Sequence, residues 1–410
     1  MYLNKDWKRN IILFLTSQNL SLFGSMIVQY AITWYITLQT KSGVMITVSI
    51  ICGFLPNLFI APFAGVWADR YNKKMLIMLS DSLIAIASLI LAILFIMGQE
   101  SVYLLFAAAS IRSLGTGIQI PAVGAFLPQL VPENELTKVN GINGSIQSFV
   151  ALISPMLSGA LLTVSTMQSL FIIDVVTAAF AVLLLLLFLH EPSYEKNKSF
   201  ENQKINYYED MSEGIKYIKN HKFVFILFVY CAIYFILVTP LAFLTPLQVT
   251  RNFGDEVWRL TSIEVTFSLG MMGGGILMAT WGGFKNKIHT MCLSYLTVAI
   301  CTFLVGVVTN FWIYLLLMVA TGLVMPLFNT PFTVLLQQKV EQEFMGRVFS
   351  VLGMISSSLM PLAMLLFGPI ADVIKIEKLL IVTGVLMVIQ SFMMFFNKIL
   401  IEAGKPVSND

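Results

Sequence analysis

Gly65-Val66-Trp67-Ala68-Asp69-Arg70-Tyr71-Asn72-Lys73-Lys74 places four charges within six residues, between two long apolar runs. A chain that crosses a bilayer carries such a cluster only at a water-facing turn, because a charge at the membrane centre costs about 2.5–3.5 kcal/mol. Gly65 lets a neighbouring helix approach closely, and Asp69 and Arg70 can pair or cap a helix end. Lys73 and Lys74 favour the cytoplasmic side. On its own the stretch reads as a positive-inside turn between two spans.

Composition agrees with that reading. Of 410 residues, 57% are hydrophobic and 11% charged, whereas soluble domains are about 25% charged. Mean hydropathy is +0.83. Cys52, Cys231, Cys292 and Cys301 all fall inside apolar runs without metal-ligand spacing, and His190, His221 and His289 lie at span ends. No metal or other cofactor is expected. The net charge of +3 is small, and the expected surroundings are a lipid bilayer rather than a nucleic acid. The first apolar run follows Lys5, Lys8 and Arg9 and contains Gln18, Gln29 and Trp34. It is too long for a secretory leader and reads as an uncleaved first span.

A span needs about 20 apolar residues. Twelve such segments are predicted: Ile11–Leu38, Val44–Trp67, Met75–Met97, Val102–Leu130, Val139–Val164, Leu170–Leu189, Phe223–Thr245, Ile263–Gly283, Ile288–Val308, Ile313–Leu336, Val348–Ile370 and Leu379–Phe396. Helices are the default, because lipid offers the backbone no other partner outside closed barrels. With the N-terminus inside, nineteen Lys and Arg residues fall in cytoplasmic segments and five in outer ones, leaving Arg112 within a span. That bias predicts an even number of spans with both termini cytoplasmic.

The one long polar insert, residues 190–222, contains a short helical pattern near Tyr207–Ile218. It divides the chain into an N-terminal bundle (1–189), a cytoplasmic linker (190–222) and a C-terminal bundle (223–410). The halves echo each other. Trp281-Gly282-Gly283-Phe284-Lys285-Asn286-Lys287 stands beside Trp67-Ala68-Asp69-Arg70-Tyr71-Asn72-Lys73 at a constant offset of 214 residues, with Gly283 in place of Asp69. The predicted fold is therefore an all-α membrane protein of twelve transmembrane helices in two pseudo-symmetric six-helix bundles. Two parallel repeats with a midplane site suit a transporter that rocks between two states.

Arg112 lies ten residues into the fourth segment, about 15 Å at 1.5 Å per residue, near the bilayer midplane. It cannot shed its charge, so it needs a carboxylate, carbonyls or a wet cavity. It is either a functional charge or half of a structural ion pair. Asp81, Asp174 and Glu264 are the candidate partners or proton carriers, since desolvated carboxylates bind and release protons near neutral pH. Gln18, Ser21, Ser25, Gln29 and Thr33 recur at three- and four-residue steps along one face of the first segment. Asn140, Asn143, Gln147 and Ser154 form a similar stripe in the fifth. Such stripes line a cavity or bond helix to helix. Tyr230 and Tyr234, one turn apart, and Asn329, after an expected break at Pro326, are further cavity candidates. Gly144, Pro155 and Gly159 are candidate hinge residues, with static packing as the other reading. No G-x-x-x-x-G-K-[ST] loop and no catalytic constellation occurs, so an enzyme is not expected.

The opening stretch, as G-x-x-x-D-R-x-x-K-K, resembles the signature loop between spans 2 and 3 of the major facilitator superfamily. Arg112-Ser113-Leu114-Gly115-Thr116-Gly117 resembles that superfamily's span 4 motif, which in proton-coupled exporters is tied to proton transfer. Gly144, Ser154-Pro155 and Gly159 resemble a degenerate form of the exporter motif of span 5. Asp6-Trp7-Lys8-Arg9, Gly53-Phe54-Leu55-Pro56, Leu130-Val131-Pro132-Glu133, Leu136-Thr137-Lys138 and Gly346-Arg347-Val348-Phe349-Ser350 extend the resemblance to bacterial macrolide-efflux permeases, in the third drug:proton antiporter branch.

What the resemblance implies is efflux of macrolide-like or other amphipathic drugs from a bacterial cell, in exchange for protons, by a multi-pass protein of the inner membrane. It implies protons as the coupling ion, acting at Arg112 with Asp81, Asp174 and Glu264, in a protein expected to work as a monomer. It also implies a cytoplasmic latch made by Gly65, Asp69, Arg70, Lys73 and Lys74 with Arg347 at the start of span 11. Many proton-coupled relatives carry an acidic residue in span 1, and this chain has none. The alternatives are an exporter of a lipid, siderophore or metabolite, and a non-transporting membrane scaffold. Intramembrane charges and polar stripes argue against the scaffold.

Overall fold

A computed structural model describes residues 7–132, 135–189 and 207–405. Among them the chain forms fourteen helices: α1 (Trp7–Thr40), α2 (Gly43–Arg70), α3 (Lys73–Ile96), α4 (Val102–Leu130), α5 (Leu136–Val164), α6 (Met167–Phe188), α7 (Tyr207–Asn220), α8 (Lys222–Asn252), α9 (Val257–Trp281), α10 (Lys287–Val305), α11 (Phe311–Lys339), α12 (Gln342–Val373), α13 (Ile376–Phe395) and α14 (Lys398–Ala403). Each of the twelve predicted segments has its helix, and α7 is the helical pattern of the linker. Eleven helices are long and apolar enough to cross a membrane. The exception is α4, where Arg112 and Gln119 lower the hydropathy of a helix as long as its neighbours.

Several helices outrun their apolar cores. Predicted from Ile263, α9 begins at Val257, so Glu264 lies about two turns inside the helix rather than at its start. The polar residues of the added turns are satisfied there: Arg259 pairs with Glu256 at 2.7 Å and stacks on Trp258 and Phe311. The break expected at Pro326 does not occur. Helix α11 runs through both Pro326 and Pro331. Likewise α5 is continuous through Pro155.

The chain divides into two compact units, one comprising Met1–Gln39 and Val48–Lys204, the other Thr40–Thr47 and Ile205–Asp410. In the first, α3 packs against α4 and α6. Ile11, Phe14 and Leu15 of α1 join Ile77, Phe126, Leu130 and Leu185 in a core cluster. Gly24 lets α1 lie directly on α6, since a Cβ there would overlap Thr177. In the second unit, α9 lies along α11 through small residues: a Cβ on Gly274 would strike the Leu323 backbone, and one on Gly322 the Phe267 carbonyl. This is the close packing that small residues permit between apolar helices.

The internal repeat is visible as two equivalent caps. Asn72 accepts a hydrogen bond from the Met75 N–H at the start of α3, and Asn286, 214 positions later, accepts one from Ile288 at the start of α10. The turns before them differ. Helix α2 continues through Asp69 and Arg70, whereas α9 stops at Trp281 with Gly282 at φ +72°, a left-handed geometry glycine adopts without strain.

Candidate functional site

Four helices of the first unit bring their polar residues to one buried line. Arg112 of α4 forms an ion pair with Asp174 of α6. The arginine is 6% exposed and the aspartate 0%. Ser88 of α3 donates to Asp174 Oδ2 at 2.6 Å and accepts from Arg112 Nη1 at 2.5 Å. Ser25 of α1 donates to Asp174 Oδ1 at 3.0 Å, and its carbonyl accepts from Arg112 Nη2 at 3.1 Å. The pair thus gains hydrogen bonds on both Asp174 oxygens and both terminal guanidinium nitrogens, of the kind a desolvated salt bridge requires.

A second carboxylate sits further along α3. Asp81, 0% exposed, accepts on Oδ1 from Ser21 and from Gln119 Nε2, both at 2.7 Å. Gln119 Nε2 also lies 3.4 Å from Gln18 Oε1. Among the described residues, Asp81 Oδ2, Gln18 Nε2, Asn19 Oδ1, Ser154 Oγ and Arg112 Nε are buried without a hydrogen-bond partner. Asn19 of α1, outside the predicted stripe, donates to Asn143 of α5 at 3.2 Å. Ser158 bonds the Ile27 carbonyl at 3.0 Å.

Other predicted residues lie apart from this line. Glu264 is half-buried, with no hydrogen-bond or ion-pair partner among the described residues. Gln29, Gln147 and Asn329 are exposed, and Gln18, Asn143 and Tyr230 half-buried. Tyr234 is enclosed within the second unit: its ring stacks on Phe328 at 5.3 Å and meets Tyr295 edge-on at 5.1 Å. Gln390 joins this group, accepting from the Tyr295 hydroxyl and donating to the Tyr230 carbonyl. Gly144 is exposed, Pro155 and Gly159 buried. A cavity of 220 Å³ in the second unit is lined by Gln248, Arg251, Asn252, Lys375, Ile376 and Glu377, none of them among the predicted residues.

The expected latch residues divide between the units. Gly65 is half-buried and Arg70 exposed. Lys73 is buried at the start of α3, and Lys74 Nζ donates to the Leu189 carbonyl at 2.8 Å. The Asp69 side chain lies outside the described residues. Arg347 at the start of α12 pairs with Glu213 of the linker helix at 2.9 Å. Beside it, Tyr217 stacks between His221 and Phe344, with centroids 3.8 and 4.6 Å away. Its hydroxyl accepts the Glu341 N–H at 3.2 Å, satisfying a donor at the start of α12 that no capping side chain reaches.

Ser88, Gln119, Tyr295 and Gln390 were not predicted. Two had a readable signal. Asp81 and Ser88 are seven residues apart on α3, and Arg112 and Gln119 seven apart on α4, two turns in each case. Set antiparallel, they pair Asp81 with Gln119 and Ser88 with Arg112.

Long apolar helices enclosing a buried guanidinium–carboxylate pair are those of a multi-pass membrane protein. The sequence profile of the Major Facilitator Superfamily matches residues 14–364, and the chain belongs to that superfamily of transporters; it is not an enzyme. It is 29% identical to Macrolide efflux protein A of Streptococcus pyogenes over 385 residues, 93% of this chain and 94% of the relative. It is 24% identical to the Staphyloferrin A transporter of Staphylococcus aureus over 394 residues, 93% and 95% of the two chains. The crystal structure of a POT family transporter in complex with 5-aminolevulinic acid shares the fold, with a TM-score of 0.71 and 14% identity, covering 94% of this chain and 95% of the other.

Proposed function

We propose that this protein exports macrolide-like or other amphipathic drugs from a bacterial cell by proton antiport and alternating access. The observation that carries the export reading is its likeness to a macrolide efflux protein over 93% of the chain. The buried ionisable groups supply the coupling. A carboxylate that gains or loses a proton in a low-dielectric core changes the local charge balance, and with it the preference between two packings. A membrane potential adds about 2.3 kcal/mol per charge per 100 mV, which is enough to bias such an equilibrium.

In this reading the protein acts as a monomer in the inner membrane, with both termini cytoplasmic. Arg112, Asp81, Asp174 and Glu264 form the coupling set. Gln18, Gln29, Asn143, Gln147, Tyr230, Tyr234 and Asn329 contribute to the substrate path. Gly144, Pro155 and Gly159 allow α5 to adjust. Gly65, Asp69, Arg70, Lys73, Lys74 and Arg347 control the cytoplasmic closure.

The test is efflux of a radiolabelled macrolide and of a fluorescent amphipathic drug from cells expressing the protein, with and without a protonophore. Efflux that the protonophore abolishes is expected; membrane-inserted protein that moves neither compound overturns the drug-export reading. A second reading, export of a siderophore, is favoured by the likeness to the Staphyloferrin A transporter. It predicts siderophore accumulation outside expressing cells and no drug efflux.

A further inference from the structure

We propose that Asp81 is the carboxylate that takes up and releases the coupling proton, and that the Arg112–Asp174 pair is a fixed ion pair that positions α1, α3, α4 and α6 around it. The assignment rests on the proton-coupled reading above.

The two aspartates have opposite surroundings. Asp174 receives a guanidinium and two hydroxyls, so both of its oxygens are occupied. A proton on Asp174 would displace at least one of these donors. It would also leave Arg112, 6% exposed, as a buried cation without a counter-charge, the costly half of a broken salt bridge. Among the described residues, Asp81 has no cation paired with it. Its donors are neutral, and they engage only Oδ1. An isolated buried carboxylate relieves its desolvation by accepting a proton.

The charged groups around Asp81 can be named helix by helix. On α4 there is Arg112 and on α6 Asp174, already joined to each other. Helix α1 faces Asp81 with Gln18 and Ser21, which carry no charge. Along α3 itself the nearest charges are Lys73 and Lys74, about two turns away.

Gln18 lies against Asp81, its oxygen 3.4 Å from Gln119 Nε2 and its nitrogen without a partner in hydrogen-bond geometry among the described residues. A small rotation lets that nitrogen donate to the bare Oδ2. The Gln18 oxygen accepts from a protonated Oδ2–H only by turning away from Gln119, so the two protonation states differ in the Gln18–Gln119 contact. The step is simple: an O–H bond forms on Oδ2 with a proton from water on one side of the membrane. The same bond breaks to release the proton to water on the other side, and the Arg112–Asp174 pair keeps its charges throughout.

Purified full-length protein in liposomes, with a radiolabelled macrolide as probe, separates two activities. One is accumulation driven by a pH gradient, and the other is exchange of labelled for unlabelled macrolide at equal pH. Asp81→Asn, an isosteric mimic of the protonated acid, is expected to reduce gradient-driven accumulation to the level of protein-free liposomes while exchange persists and no longer varies with pH. Asp174→Asn is expected to lose both activities and to lower the melting temperature. Gradient-driven accumulation by Asp81→Asn would overturn the assignment, as would Asp174→Asn behaving in the way expected of Asp81→Asn. Should Asp81→Asn lose exchange too, Asp81→Glu decides: recovery of gradient-driven accumulation with an altered pH profile supports the assignment, and its absence overturns it. A wild type indifferent to the gradient would overturn the proton-coupled reading itself, a failure distinguishable from that of the assignment alone.

Discussion

Asp372 caps the helix that begins at Gly43: its Oδ1 accepts the Gly43 N–H at 2.7 Å. Its Oδ2 takes the Val44 N–H at 3.0 Å and the Ser42 hydroxyl at 2.7 Å, and Arg251 adds an ion pair at 2.8 Å. The last turn of α12 thereby satisfies the first turn of α2, and the segment Thr40–Thr47 groups with the second unit. Replacing a helix cap by alanine costs about 0.5–2 kcal/mol. Asp372→Ala should lower the melting temperature of the detergent-purified protein, and Asp372→Asn, which keeps an acceptor, should lower it less. Equal losses would show that the Arg251 pair, not the cap, dominates.

The Arg112–Asp174 pair should behave as a unit. Removing either partner leaves the other buried and charged, a loss of about 3–5 kcal/mol. Arg112→Met and Asp174→Leu should each destabilise strongly, and the double variant should recover much of the stability without recovering transport. Thermal unfolding of the four proteins in one double-mutant cycle measures the coupling. Additive losses would contradict the geometry.

The linker helix should hold the start of α12. Tyr217→Ala removes the stack with Phe344 and the acceptor for the Glu341 N–H. It should release α7 and speed tryptic cleavage at Lys216 and Lys219. Exchanging the charges of Glu213 and Arg347 together should preserve protection that either single reversal weakens. An exposed pair of this kind is worth about 0.2–1 kcal/mol, so the aromatic variant should show the larger effect.

Gly274 and Gly322 set how closely α9 approaches α11. Gly274→Leu would drive a side chain into the Leu323 backbone, an overpacking that costs about 1–3 kcal/mol or more. Folded yield should fall, as read by size-exclusion chromatography. Gly273→Ala, one position away with open space beside it, should be tolerated.

One pH response can be assigned outside the helices. Lys41, 3.0 Å from Asp255, holds that exposed carboxyl below its ordinary value, first through the hydrogen bond and then through its charge. A lowered carboxyl favours the folded state above its unfolded value of about 4 and loses that contribution only as pH falls further. The Asp255 carboxylate therefore stays ionised across the neutral range. Lys41→Ala should leave the pH profile of transport unchanged, which makes it a control for Asp81→Asn.

The sequence alone determined that the chain is a bundle of membrane-crossing helices in two related halves. Length of apolar runs, the sign of the loop charges and the 214-residue offset are all read along the chain, and lipid leaves the backbone little choice but helix. It also marked Arg112, Asp81 and Asp174, because a charge inside an apolar run is conspicuous wherever it lies. Which acid takes the arginine was decided only by tertiary structure. So were the enclosure of Tyr234 by Tyr295 and Phe328 and the partnership of Arg347 with Glu213. Each depends on which faces of distant helices meet, and the side chains responsible, such as Ser88, Gln390 and Glu213, are ordinary polar residues when read one at a time. Hydropathy and charge are summed along a segment, whereas a hydrogen bond requires two atoms within about 3 Å, and only packing brings them there.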